Sequence, residues 1–206
     1  MRALTLVVFC GAVSLAHATS ITIGGTSVVN QGLVTAVPGA TTVDFNSLPT
    51  GTTATFTSGI ATYSNVFIRN SPLSDIAGDS SQFAAPSSTT PDMSIAFSTP
   101  IGYFGLYWGS PDPANTITFF NGATQVFSLT GQALHDQYGV TLGSNNAAYV
   151  NFFAGRGENY TRIVISAAGS FPFENDNHAF AAIPEPGSLL LMIAGLGTFL
   201  GIRRRF

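Results

Sequence analysis

Runs of four to eight residues that alternate apolar and polar side chains recur along the middle of the chain, and no ten-residue window there repeats its apolar residues at the helical period. The runs are Thr41–Phe45, Ala61–Ile68, Met93–Phe97, Ile101–Trp108, Thr116–Phe120, Thr124–Leu129, Ala148–Phe153 and Arg162–Ile165. Each carries β-branched or aromatic residues and is bounded by Gly, Pro, Asn or Ser, which reads as short strands separated by turns. Asn121-Gly122 predicts a two-residue hairpin turn between Thr116–Phe120 and Thr124–Leu129, because both residues tolerate positive φ. Helices should be few. Nine to eleven short strands in about 165 residues predict an all-β fold, an antiparallel, jelly-roll-like β-sandwich.

The chain has 206 residues, enough for one sizeable domain. Only 8% of them are charged against 45% hydrophobic, so Gly, Ser, Thr and Asn must supply the polar exterior. Lysine is absent, and three of the seven arginines stand together at the C-terminal end. No basic patch exists that could neutralise a run of phosphates, which excludes nucleic acid as a partner. The aromatic and β-branched content excludes disorder.

The two ends differ from the middle. Arg2, the apolar run Leu4–Leu15 and Ala16-His17-Ala18 form a charged start, an apolar core and a small-x-small cleavage site, so residues 1–18 read as a secretory signal peptide cleaved after Ala18. The only cysteine, Cys10, lies within that segment and follows bulky Phe9. The mature protein is therefore expected to carry neither a disulfide nor a lipid on cysteine. Residues 183–206 read as a second signal: Ile183-Pro184-Glu185-Pro186, then sixteen uncharged residues Gly187–Ile202, then Arg203-Arg204-Arg205-Phe206. As a transmembrane helix the uncharged stretch would rise about 24 Å against a hydrocarbon core of about 30 Å, a mismatch that snorkelling arginines and local thinning accommodate. Arg203, Arg204 and Arg205 mark the cytoplasmic side, leaving residues 19–182 outside. Between Thr19 and Pro186 stand Arg69, Arg156 and Arg162 against ten acids, so 3 − 10 gives a formal charge of −7. Such an exterior disfavours anionic partners and permits neutral glycans or divalent cations.

Pro184-Glu185-Pro186, the apolar stretch and the arginine tip resemble the PEP-CTERM sorting signal of Gram-negative bacteria. The resemblance implies an exosortase, a membrane-embedded, thiol transpeptidase-like enzyme, as the processing partner. It further implies transient anchoring in the inner membrane, removal of the helix and delivery to the cell surface or the extracellular exopolysaccharide matrix. The two prolines suit such a role physically, since they lack amide donors and keep the triplet out of helix and strand. Val43–Pro49, Ile101–Trp108 and Phe173–Phe180 also resemble the opening, middle and closing strands of β-sandwich domains found in PEP-CTERM surface proteins. In that closing strand an acidic-Asn pair is usual, and Asp176-Asn177 stands in its place. Asn175 and His178 depart from the family by occupying positions that are usually apolar. For most such domains the resemblance implies no enzymatic activity.

Within the domain, period-two alternation would put Glu174, Asp176 and His178 on one strand face as an oxygen and nitrogen ligand set. Phe180 falls on the same face, so a solvated polar face is the expectation, with no metal and no cofactor assigned. Asn70–Asp92, with Asp75, Asp79 and Asp92, reads as a solvated loop, and His135-Asp136 as a surface turn. Asn159-Tyr160-Thr161 is a glycosylation acceptor only on a eukaryotic secretory route. No Gly-x-Ser-x-Gly, His-Glu-x-x-His or phosphate-loop pattern is present, so no catalytic residue is assigned. The leading reading is an exported structural or exopolysaccharide-associated protein. A carbohydrate-binding module with neutral polysaccharide as partner, using Tyr103, Tyr107 and Trp108 as a stacking platform, is the alternative. A glycan hydrolase built on two distant carboxylates comes third.

Overall fold

The computed structural model of the chain describes residues 18–51, 53–70, 80–169 and 171–182. In chain order the strands are β1 (Ser20–Ile23), β2 (Thr26–Val28), β3 (Gly32–Val34), β4 (Thr41–Val43), β5 (Thr53–Ser58), β6 (Ala61–Asn70), β7 (Gln82–Ala84), β8 (Met93–Gly109), β9 (Asn115–Asn121) and β10 (Thr124–Thr130). A single helix among the described residues, α1 (Gly131–Tyr138), precedes β11 (Ala147–Phe153), β12 (Tyr160–Ala167) and β13 (Glu174–Ala182). The class is all-β, as the alternation predicts.

The 17-residue β8 unites two runs that the sequence separates, Met93–Phe97 and Ile101–Trp108. At the joint Ser98, Thr99 and Pro100 are exposed. Proline cannot donate to a ladder, so it stands where the strand exchanges its neighbours. Ahead of the joint β8 pairs with β12 on one side and β6 on the other, as in Ile163↔Ile95 and Ala61↔Phe97. Beyond it β8 pairs with β11 over Tyr103–Gly109 and with β13 over Ile101–Gly109. From these neighbours the ladder extends outward, β12 to β9 and β10, β6 to β5, β11 to β1, and β13 to β4, while β7 pairs with both β6 and β13. The β2–β3 hairpin forms a separate sheet.

Alternation changes parity across the joint, so that Ile95 before it and Phe104, Leu106 and Trp108 beyond it all enter the main core, where they meet Tyr63, Ile117, Phe152, Ile163 and Phe180. Phe119 is the hub, with ring centroids 4.6 Å from Tyr160, 4.7 Å from Phe152 and 6.1 Å from Phe104. Trp108 stacks on Phe173 at 4.2 Å. Each such ring contributes about 1.5–3 kcal/mol by leaving water, which is the scale on which a domain without a crosslink holds together.

Several short elements escape the sequence reading. β1, β2 and β3 hold three or four residues apiece and are largely exposed or half-buried, so they show little hydrophobic alternation. β7 lies within the segment expected to be a solvated loop, and Ser81 and Phe83 to Pro86 are buried; Asp75 and Asp79 lie outside the described residues. His135 and Asp136 belong to α1 rather than to a turn. Thr130 caps that helix by accepting from the Ala133 N–H at 3.1 Å, and Gly139 ends it at φ 70.

The chain enters and leaves the domain at one pole. Ser20 pairs with Phe153, Phe153 with Tyr103 and Tyr103 with Ala181, so four strands meet in one cross-strand row. Three strand spacings, about 14 Å, separate the first strand's start from the last strand's end.

The β9–β10 hairpin forms, with its turn one residue later than predicted. Asn121 pairs with Thr124, leaving Gly122-Ala123 as the turn, and Gly122 alone has positive φ, at 59. Nothing lies within 4 Å of a Cβ placed on Gly122, so a substitution there is opposed by backbone conformation and not by space. Gly122→Val should lower the unfolding free energy by about 1 kcal/mol or more, whereas Gly122→Asn, tolerant of positive φ, should lose less. Equal urea midpoints for wild type and the valine variant would contradict this turn.

Candidate functional site

The closing strand carries four of the seven buried polar residues among the described residues: Asn175, Asp176, Asn177 and His178 are all at most 1% exposed. Period-two counting fails here because β13 bulges. Asp176 opposes Tyr107 while Ala179 opposes Gly105, so one extra residue is inserted, and Asn177 takes φ 48. The bulge turns His178 to the core face, beside Phe180, and leaves Asp176 opposite Tyr107 on the other face. Glu174, Asp176 and His178 therefore do not share a face. Among the described residues no group of three or more His, Cys, Asp or Glu could hold a metal ion.

His178 sits among the rings of Phe45, Phe104 and Tyr63, with centroids 5.1, 5.3 and 5.8 Å away. Its Nε2–H donates to Asn175 Oδ1 at 2.8 Å, and the Asn175 amide donates to the Phe173 carbonyl at 2.7 Å. This chain of donors fixes the neutral Nε2–H tautomer. His178 Nδ1 has no hydrogen-bond partner among the described residues, and burial pulls the imidazole pKa down to about 3. Asn175 and His178, which stand where the sequence resemblance leads one to expect apolar residues, thus answer each other inside the core. A base sealed behind aromatic rings has no substrate within reach, so the arrangement is structural.

The opposite face of the same sheet region is also covered. Asn177 donates to the carbonyls of Gln31 at 2.6 Å and Leu33 at 3.1 Å, and its own carbonyl accepts from the Tyr149 hydroxyl at 2.9 Å. This bulge hooks the β2–β3 hairpin over β8, β11 and β13. Beneath it Thr35 donates to the Tyr103 hydroxyl at 2.6 Å, Tyr103 donates to Asn151 Oδ1 at 2.8 Å, and Asn151 donates to the Gly24 carbonyl at 2.8 Å. Gly105 is required by this packing, since a Cβ there would lie 2.8 Å from Tyr149 Cε1. Tyr103, Tyr107 and Trp108 are 4, 2 and 0% exposed. They form no sugar-stacking platform.

The described surface instead offers a cleft of about 300 Å³ between β4 and β5, lined by Thr42, Val43, Asp44, Ser47, Leu48, Phe56, Thr57 and Ser58. Its walls carry four hydroxyls and one carboxylate around half-buried Leu48 and Phe56. Sequence reasoning missed this site because its two walls belong to strands with different partners. Other candidates disperse. His135 Nδ1–H donates to the Val140 carbonyl at 3.0 Å, while Asp136 accepts from Gln132 at 2.8 Å. Thr161 of the glycosylation triplet accepts from the Gly122 N–H at 2.8 Å.

The pKa of His178 gives a pH signature. Below the ordinary value of 6.5 the unfolded chain takes up a proton that the folded chain refuses until about 3, so stability must fall as pH falls through that window. Between pH 7 and pH 5 the loss should be about 2 kcal/mol. Urea unfolding at both values should show it in wild type and not in His178→Gln; an equal loss in the variant would assign it elsewhere.

The sorting residues Pro184, Glu185 and Pro186, the basic cluster Arg203 to Arg205 and Ala16 of the cleavage site lie outside the described residues; Ala18 is described and exposed. No helix among the described residues is long and apolar enough to cross a membrane. No curated protein and no solved structure matches the chain. The PEP-CTERM protein-sorting motif matches residues 182–205, beginning at the last residue of β13, so the chain carries this motif at its C-terminal end.

Proposed function

We propose that the protein is exported, held briefly in the inner membrane and released by an exosortase to the cell surface or extracellular matrix, where the domain acts structurally or in association with exopolysaccharide. The match of residues 182–205 to the PEP-CTERM motif carries this reading. Two features support it. The motif starts where the last strand stops, so an enzyme can act on it without unfolding the domain, and both chain ends leave from one pole. The domain is read as a jelly-roll-like sandwich whose two sheets share β8, and as a non-enzyme. Replacing Pro184-Glu185-Pro186 by three alanines should leave export intact and abolish C-terminal processing. Intact mass of the fractionated protein reads this directly, and a processed mass for the triple variant would refute exosortase recognition of the triplet.

The hydroxyl-lined cleft between β4 and β5 favours a second reading, a module that binds neutral glycan. Hydroxyls, a carboxylate and a partly exposed ring can together bond a sugar's hydroxyls and cover its apolar face. The processed protein should then bind at least one neutral polysaccharide in a direct screen, and Asp44→Ala should weaken that binding about tenfold, the scale of one hydrogen bond to a charged group. Binding unaffected by Asp44→Ala would remove the cleft from consideration. Release of reducing ends in the same wells, lost on replacing one acid, would overturn the non-enzyme reading.

A further inference from the structure

Thr19, the first residue after Ala16-His17-Ala18, is already built into the domain. Its Oγ1 donates to Glu158 Oε2 at 3.2 Å and accepts from the Tyr160 hydroxyl at 2.9 Å. The next residue, Ser20, opens β1 by pairing with Phe153. Glu158 is itself held: Oε2 also accepts from the Gly155 N–H at 3.0 Å, and the Glu158 N–H donates to the Gly155 carbonyl at 2.9 Å. Tyr160 is buried in the main core. Its phenol is pushed up to about 12, chiefly by burial, with the negative charge of Glu158 adding to the effect. The carboxylate is therefore fixed beside Thr19, its Oε2 shared between the Thr19 hydroxyl and the Gly155 N–H.

Hydrolysis of the Ala18–Thr19 peptide bond converts a neutral amide nitrogen into an ammonium. The C–N bond breaks, hydroxide from water completes the Ala18 carboxylate, and the protons pass to the Thr19 nitrogen. Only Cα and Cβ separate that nitrogen from the Oγ1 already bonded to Glu158, which brings the new charge within the roughly 4–6 Å at which an opposite charge favours ionisation. We propose that Glu158 and Tyr160 form a receptor for the α-ammonium of Thr19, so that removal of the leader itself fastens the first strand to the domain. The proposal rests on the reading of the cleavage point after Ala18. β1 has need of such a fastening, since it is four residues long and pairs with β11 alone. Before cleavage the nitrogen carries no charge and Glu158 holds Thr19 by its hydroxyl only.

The chain contains no lysine, so after processing the Thr19 amine is its one primary amine and an amine-directed reagent has a single target. The full chain should be expressed with export, and the processed protein purified and its N-terminal residue sequenced. Acetylation at pH 7 should be slow in wild type and about fivefold faster in Glu158→Gln, the factor equivalent to an ion pair of about 1 kcal/mol. Acetylated wild type should melt below the untreated protein, whereas acetylation should not shift the melting temperature of Glu158→Gln. If Glu158 mattered only through Gly155, its replacement would lower both melting temperatures and leave the effect of acetylation unchanged. A first residue other than Thr19 would overturn the proposal at the cleavage point; Thr19 with equal acetylation rates in the two proteins would overturn the capture itself.

Discussion

From Tyr103 to Gly109 β8 is enclosed on every side. Its two edges are hydrogen-bonded to β11 and β13, its inner side chains stack in the aromatic core, and its outer side chains lie beneath a hairpin. A strand covered on both faces needs a second layer, and here six residues of β2 and β3 supply it. The requirement propagates outward. Gly105 must lack a side chain so that Tyr149 can cross it, Tyr103 must find acceptors for a buried hydroxyl, and Asn151 must turn its amide to the backbone of the segment that leads into β2. A domain of this size without a crosslink gains its rigidity from that accumulation of satisfied contacts.

The buried polar residues of β13 serve the same end. A β-strand that slips by one residue exchanges its two faces, and a purely apolar strand resists slippage only weakly. Asn175 and His178 satisfy each other only when both face the core, and Asn177 reaches Gln31 and Leu33 only with the bulge where it stands. A slipped register would strand these groups without partners, at a cost of about 1–3 kcal/mol each. Polar burial in this strand therefore selects one register, which an aliphatic closing strand of equal hydrophobicity would not do.

Eight of the strands or strand segments were legible in the sequence because they alternate and end in turn residues. What stayed hidden has particular causes. The bulges at Asn65 and Asn177 put non-glycine residues at positive φ, and alternation cannot announce the residue at which it will break; the mistaken common face of Glu174, Asp176 and His178 follows from that alone. The helix α1 is eight residues long, shorter than the window used to seek a period, although its Thr130 and Gly139 caps stand in plain view. Pro100 reads as a terminator between two strands, yet the chain continues through it because the strand changes partners there. The sorting signal was legible for the opposite reason. It depends on local composition and order, with no partner elsewhere in the chain. The contact of Thr19 with Glu158 spans 139 positions, and no local pattern carries it.

The cross-strand row that brings Ser20 and Ala181 to one pole also sets how the domain bears mechanical load. A pull on the C-terminal end acts along the axis of β13, a strand bonded to β8 along its length and to β4 and β7 on its other side. Its hydrogen bonds would have to shear together. A pull on the N-terminal end acts on β1, which grips one neighbour through four residue pairs. The two attachment points are neighbours in space and unequal in strength, and the stronger one adjoins the sorting signal. A protein drawn away from its cell by that end would keep its core, because the strand under tension is the one most deeply stitched into the sheet.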